Sequence, residues 1–549
     1  MARLTSLPAS RWFGVCLALV LLVVAEPGAA QATKAEAAGE SIFLRGQLAS
    51  GRPLEATNNS GLRITGQAAA CVNCHRRSGL GSREGRSVIP PITGRYLFNS
   101  RDARGGPQSL QYVEGVRDKR EPYTDATLSR AIRQGINSEG KAFSYLMPQF
   151  QLGDSDMAAL TGYLRSLDQR KVPGVNDTTL HFATIITPDA DPVKRKGMLA
   201  VLEQFFAERN ARQMSPAPRM SAARISFMVH RRWELHVWEL SGPEATWEQQ
   251  LERRMKEEPV FAVVSGLAGN TWAPVHRFCE RARVPCLFPN VEVPVDSERD
   301  FYSLYFSKAV LLEAELIGGR ILASAAGTTS RHVHQIYRAG DSGKAGAEAL
   351  TAALAPRGIT VQSHVLEASA PADAIAAAVR ASSDADALVL WLRPPDMAVL
   401  DAPPAGATAV FASGLLGQME RSILPAGWRE RTHVAYPFDL PERRRVRMDF
   451  ALGWFRIRHV AVVAEQVQAD TFLAVGLLSE TLNHMSDTFV REYLVERIED
   501  MLSHRILTGY YPHLSLATGQ RFASKGGYIV RLGGERGAKV VAETEWIVP

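Results

Sequence analysis

At 549 residues the chain is too long for one hydrophobic core and should divide into two to four folding units. Its 46% hydrophobic and 22% charged residues are ordinary for globular protein. The formal charge of +6 comes from dispersed basic residues, which leaves no nucleic-acid footprint. The densest basic run, Arg443-Arg444-Arg445-Val446-Arg447, lies beside Glu442 and Asp449 and reads as a solvated helix start.

Residues 1–30 have the features of a secretory signal peptide. Arg3 and Arg11 supply positive charge, Phe13 to Ala25 is an apolar run too short for a comfortable span, and small residues follow. Gly28-Ala29-Ala30 or Ala30-Gln31-Ala32 would suit signal peptidase. An uncleaved anchor is the alternative, but no stop-transfer pattern follows. The expectation is a periplasmic protein with no membrane span after cleavage, and Cys16 is lost with the leader.

The next informative segment is Cys71-Val72-Asn73-Cys74-His75. This C-x-x-C-H spacing is the signature for covalent attachment of one c-type haem. Two thiols three positions apart can each form a thioether, and His75 then falls under the iron. A zinc half-site would need a second Cys or His pair at similar spacing, and none exists. A thioredoxin-like pair should follow a strand, and residues 61–70 give no such pattern. A second iron ligand is available at Met147, in the loop Phe143-Ser144-Tyr145-Leu146-Met147-Pro148. Its thioether is soft and raises the reduction potential. A helix through Leu167 follows, with Asp154 or Ser155 as cap and Met157, Leu160, Tyr163, Leu164 and Leu167 on one face.

With these landmarks in order, residues 36–169 resemble a class I bacterial cytochrome c. The opening helix Gly39 to Gly46, the haem motif, the loop from Gly135 and Gly140 to Met147-Pro148 and the closing helix all match. The resemblance implies an all-α domain and a haem c held by His75 and Met147. It also implies that His75 is oriented by a proline carbonyl in Pro90-Pro91-Ile92-Thr93-Gly94, with Pro90 the acceptor. An iron with both axial positions filled shuttles single electrons and is not an enzyme centre. A haem enzyme such as a peroxidase is the alternative if Met147 does not bind. The stretch 76–122 is longer than expected and rich in Arg and Gly.

Residues 170–177 form a polar Pro/Gly linker. From 178 to 549, apolar strands alternate with helical patterns. Strands are expected at 180–187, 224–230, 260–265, 284–288, 332–337, 360–366 and 387–392. Helices are expected at 192–209, 244–257, 273–282, 307–325, 343–355 and 370–381. This is an α/β pattern with parallel sheets in two lobes. Val260 to Gly266, Arg283 to Pro289 and Tyr511 to Gly526 resemble type I periplasmic solute-binding proteins of the branched-chain amino-acid ABC transporter group. The resemblance implies a small-molecule ligand in an interlobe cleft, touched by Ser265, Asn270, Thr271 and, more weakly, Asp341. No partner for an amino-acid ammonium group stands out.

Cys279 and Cys286 remain, either bonded as a disulfide, which export favours, or as two buried thiols. His230, His236, His332 and His334 sit near strands and read as satisfied or surface histidines. No catalytic motif of a hydrolase, metalloprotease or phosphate loop appears. The fold expected is therefore multidomain: an all-α cytochrome c domain, then an α/β two-lobed type I periplasmic-binding-protein fold. The function expected is one-electron transfer to or from a redox partner such as a periplasmic dehydrogenase, with an appended module for ligand binding or partner docking. The alternative is a ligand sensor in which haem is a redox gauge.

Overall fold

A computed structural model describes the chain apart from residues 1–26, 59, 85–86, 100–119, 144–145, 215–230, 298–299, 325–331, 405, 407–408, 420–423, 486–487 and 535–538. The expected leader, up to residue 26, and the expected strand 224–230 lie outside the described residues. Contacts divide the chain into two compact units.

The first unit comprises residues 27–75, 91–99 and 120–169 apart from the undescribed positions. It opens with α1 (Pro27–Arg45), β1 (Glu55–Thr57), β2 (Arg63–Thr65) and α2 (Val72–His75). The chain then leaves for a hairpin of β3 (Ser82–Glu84) and β4 (Ser87–Ile89), which belongs to the second unit. It returns as α3 (Gly94–Phe98), α4 (Asp125–Gln134), β5 (Gln149–Gln151) and α5 (Asp154–Ser166). β1 is the centre of a small antiparallel sheet, with Ala56 opposite both Ile64 and Phe150. The all-α expectation is corrected by this sheet. Its strands are three residues each, too short for a period-2 pattern to register in sequence.

Local chemistry explains the helices. Thr124 and Thr127 form a reciprocal capping box at the start of α4, and Gly135 ends it in the left-handed conformation at φ 69°. α1 and α5 approach so closely that a Cβ on Gly39 would collide with the Ala159 carbonyl. Phe43 and Tyr163 meet across that contact, ring centres 5.4 Å apart. On α5, Met157, Leu160, Tyr163 and Leu164 are buried as the periodicity expects. The cap differs from expectation: Gly153 occupies the capping position with no side-chain bond, and Asp154 instead accepts from Arg133 at 2.7 Å.

The second unit comprises residues 76–90 and 170–549 apart from the undescribed positions. Its first sheet is parallel throughout, in the order β10-β9-β8-β6-β7. These strands are β6 (Thr179–Ile186), β7 (Arg232–Glu239), β8 (Ala262–Val264), β9 (Cys286–Leu287) and β10 (Ser303–Leu304). Helices α6 (Pro192–Met214), α7 (Trp247–Glu257) and α8 (Ala273–Ala282) connect them, followed by α9 (Val310–Ser324). The second sheet has seven strands in the order β12-β11-β13-β14-β15-β16-β17. Five are parallel: β11 (His332–Arg338), β12 (Thr360–Leu366), β13 (Ala387–Trp391), β14 (Ala409–Ser413) and β15 (Thr432–Tyr436). β13 is buried at every position, which is why it reads as an unbroken apolar run. Between these strands lie α10 (Gly343–Leu354), α11 (Ala372–Arg380), α12 (Pro394–Ala398) and α13 (Ala426–Arg429). Helices α14 (Pro441–Ile457), α15 (Glu465–Met485) and α16 (Arg491–Leu502) precede β16 (Tyr528–Gly533) and β17 (Lys539–Ala542). These last two strands are antiparallel additions to the sheet edge, beyond the purely parallel expectation.

Three further expectations change. The basic run on α14 is not a solvated face throughout: Arg444 is buried, donates to Tyr436 Oη at 2.5 Å and the Asp439 carbonyl at 2.7 Å, and stacks over Tyr510. The 170–177 linker is stitched into the second unit. Gly174, at φ 82°, lies against the Val260–Phe261 backbone, and the Pro173 carbonyl accepts from Arg491 at 3.2 Å. Cys279 and Cys286 are both buried and stand as free thiols, the second of the two arrangements expected of them.

Candidate functional site

In the first unit, α2 is a single turn that places Cys71, Cys74 and His75 together. The Cys71 carbonyl accepts from the His75 amide at 2.9 Å and from the Cys74 amide at 3.2 Å. His75 is buried, Cys71 is half-buried and Cys74 is exposed. Burial pushes the Cys71 thiol up to about 12. Cys71 and Met147 pack against one apolar core that also includes Phe43, Leu97 and Leu160. Leu146, beside Met147, is half exposed. Two thiols, a buried imidazole and a soft thioether, with Cys71 and Met147 bordering one apolar cluster, are a donor set that suits a covalently attached haem.

Immediately after His75 the chain passes into the second unit. Arg76 makes the passage in the left-handed conformation, φ 62°, unusual for a residue with a Cβ. Buried acids of α16 then hold the strand of chain that follows. Ser78 donates its amide to Glu496 at 2.9 Å and its hydroxyl at 2.5 Å. Arg76 reaches Glu499 at 3.3 Å, and Arg521 pairs with the same carboxylate. Burial pushes Glu496 up to about 8, outweighing the opposing pull of the Ser78 bonds. Pro90 follows β4 at an exposed position, and its backbone lies over Gly81.

A cavity of about 300 Å³ lies between the two sheets of the second unit. Leu267 and Asn290, just past β8 and β9, line one side; Gly414 and Pro437, just past β14 and β15, line the other. Strand C-termini of parallel sheets are where α/β proteins ordinarily receive ligands. Phe306, Phe438, Met419 and Val467 form apolar wall. Asp470 of α15 also lines it, and is buried. Its Oδ2 accepts from Tyr511 at 3.2 Å, while its Oδ1 has no hydrogen-bond partner among the described residues. Burial pushes this carboxyl up to about 7. Nearby Glu465 accepts from Tyr510 at 2.8 Å.

Glu292 ties elements of both sheets together at the cavity wall. It accepts from Arg393 at 2.6 and 3.0 Å, from Ser342 at 2.9 Å and from Lys194 at 3.1 Å. Burial alone would raise its pKa, but the Arg393 hydrogen bonds and the Lys194 charge hold it at about 2.

The four residues expected to touch ligand are placed elsewhere than the cavity lining. Ser265 is fully buried at φ 50°, bonded through Oγ to Thr471 at 2.8 Å and Asn290 at 3.0 Å. The amide of exposed Asn270 donates to Asp189, Thr271 accepts from the Ala273 amide, and Asp341 is paired with Arg393 at 2.8 Å. Asp470 escaped the sequence reading. Its one signal is an acid set among Val467, Ala469, Leu473 and Ala474 on an apolar helix.

Residues 64–168 match the family model described as cytochrome c. The fatty acid ABC transporter substrate-binding protein of Thermomonospora curvata shares 15% identity, with a TM-score of 0.50 over 69% of this chain and 95% of that one. A branched-chain amino acid ABC transporter structure from Thermus thermophilus with bound valine shares 12% identity over 68% of this chain and 97% of its own, TM-score 0.48. A leucine binding protein from Thermotoga maritima shares 12% over 68% and 99%, TM-score 0.47. No curated protein matches the chain. Identities this low establish likeness of fold alone. Among the described residues no helix is long and apolar enough to cross a membrane.

Proposed function

From a chain whose residues 64–168 form a cytochrome c domain and whose larger part has the type I periplasmic binding fold, we propose a periplasmic electron carrier with one covalent haem c and an appended solute-binding module. Cys71 and Cys74 would hold the haem by thioethers, and His75 and Met147 would be the side chains that hold its iron. Bound there, the haem supplies a one-electron couple with no open position for peroxide chemistry. The chain's own contribution is to bury His75, to present Met147 from an apolar wall that keeps water away, and to leave Leu146 exposed beside it as a contact for a redox partner such as a dehydrogenase. The observation that carries this reading is that Cys71 and Val72 of the C-x-x-C-H turn pack on the same apolar core as Met147.

The test is production in an exporting host with haem-maturation machinery. The expected outcome is one haem per chain surviving denaturing electrophoresis, and a ferrous form inert to carbon monoxide. A chain without covalent haem, or one whose ferrous form binds carbon monoxide readily, overturns it.

A second reading is favoured by the cavity and the unpartnered Asp470 oxygen. In it, the second unit binds a small molecule with an apolar body and a cationic or hydrogen-bond-donating head, and the haem reports occupancy. Branched-chain amino acids and fatty acids are the first compounds to screen, by melting temperature of the whole protein and by haem potential with and without compound. A shift in both supports the sensor, and a melting shift with constant potential supports binding alone.

A further inference from the structure

Away from the cavity, three side chains of the first sheet converge in a way that the proposed function does not use. β6 and β7 are parallel neighbours, with His181 opposite Glu234 and Ala183 opposite His236. Alternation along a strand therefore puts His181, Glu234 and His236 on one face. His181 Nδ1 lies 3.1 Å from His236 Nε2 and 4.0 Å from Glu234 Oε2. One ligand atom from each of the three falls within 4.8 Å of the others, and this is the only such trio among the described residues. The histidines are largely covered and the glutamate is open to solvent.

We propose that His181, Glu234 and His236 form a binding site for a divalent transition ion of the zinc class. Two imidazoles and one carboxylate are ligands that zinc accepts, whereas calcium and magnesium call for oxygen ligands. Ligand atoms around a tetrahedral zinc at about 2.0–2.1 Å stand about 3.4 Å apart. Two of the three separations, 3.1 and 4.0 Å, bracket that value, and the third is within 4.8 Å, so the carboxylate must move in by side-chain rotation. The exposed side of Glu234 leaves the fourth position to water.

The surroundings already orient the donors. His236 turns its other nitrogen, Nδ1, toward Glu258 Oε2 at 3.6 Å, and Trp238 donates to that same oxygen at 3.0 Å. A carboxylate on that side of the imidazole favours a proton at Nδ1, which leaves the Nε2 lone pair facing the site. On His181, Nε2 faces Asn176 Nδ2 at 3.3 Å, while the Asn176 oxygen is taken by the amides of Thr178 and Thr179. Without metal, the Asn176 amide donates to Nε2, so the His181 proton sits on Nδ1 and is shared with His236. Metal binding at Nδ1 moves that proton to Nε2, and Asn176 must yield.

The second sheet supplies an internal contrast. Its first two strands carry a similar pair, His334 Nδ1 and His364 Nε2 at 3.0 Å. The nearby Asp384 approaches the opposite nitrogen of His334, at 3.7 Å, so among the described residues no third ligand joins the pair.

The experiment is zinc titration of the tag-free, haem-loaded protein by calorimetry, with melting temperature as a second readout. One tight zinc per chain is expected, with a rise in melting temperature. His236→Ala and Glu234→Gln should each weaken binding at least tenfold, whereas His334→Ala should leave it unchanged. Asn176→Asp should tighten it severalfold, because a carboxylate keeps the bonds to the Thr178 and Thr179 amides and accepts the Nε2 proton of metal-bound His181. Glu234→Gln removes an exposed charge and keeps the fold, so it decides the matter even if the histidine variants unfold. No tight zinc in the wild-type protein, or binding untouched by Glu234→Gln and His236→Ala, overturns the site.

Discussion

The haem-binding region and the cavity are built on opposite plans. Cys71, Cys74 and His75 lie within five consecutive residues, and one helical turn suffices to assemble them. The cavity draws on Leu267, Asn290, Gly414, Pro437 and Asp470, which span two hundred positions of sequence and five separate elements. Local assembly makes the first site robust to errors elsewhere in the fold. Distributed assembly makes the second dependent on every contact that holds the two sheets in place, which is where the largest effects of mutation should fall outside the haem motif itself.

The sharpest way to separate the two is to delete the haem thiols. Replacing Cys71 and Cys74 with Ser should abolish covalent haem completely while the cooperative unfolding of the second unit, followed by tryptophan fluorescence, persists. Loss of both together would show that the plans are not independent. The next largest effect belongs to Arg491, whose guanidinium donates to the carbonyls of Val260, Phe261, Arg283 and Pro173. Arg491→Met strands those carbonyls and should cost about 3 kcal/mol or more in denaturant unfolding of the second unit, with haem content unaltered.

Arg393→Ala should have a smaller effect, about 1–3 kcal/mol, because it leaves buried Glu292 with Lys194 and Ser342. Its pH signature is specific. Glu292 is held at about 2 against an ordinary 4.5, so its stabilisation is full above pH 4.5 and is lost as pH falls toward 2. The variant should lose much of that acid dependence. Asp470 works in the other direction. Its carboxyl is raised from 3.8 to about 7, so between those values the folded protein retains a proton that the unfolded chain has released. Stability therefore falls as pH rises from about 4 to 7, then levels. Asp470→Asn should flatten that part of the profile. The smallest expected effect is Met147→Ala on stability, since Met147 is only partly buried, yet it should lower the reduction potential clearly. A potential unchanged in that variant would remove Met147 from the axial position.

Much of the fold was legible in advance where periodicity is long. Helix 273–282 and strand 360–366 fall at their expected bounds, and β6, α10 and β13 within a residue or so. The three-residue strands around Ala56 were not legible, since a period of two needs more turns to register. Nor was Arg444, whose neighbours in sequence are solvated but whose own guanidinium is drawn under Tyr510 by contacts made far along the chain.

The amino-acid sequence alone determined the haem motif, because its chemistry depends on covalent spacing within five residues. It also determined the α/β alternation, because apolar periodicity is a local property. Only the tertiary structure decided which polar groups face the cavity. Ser265 is buried and bonded to Thr471 and Asn290, while Asp470 became a cavity acid only when α15 packed on α6 and α16. Burial and partnership are properties of the folded chain, and they decide whether a side chain is a bonded strut or offers an acceptor to the cavity.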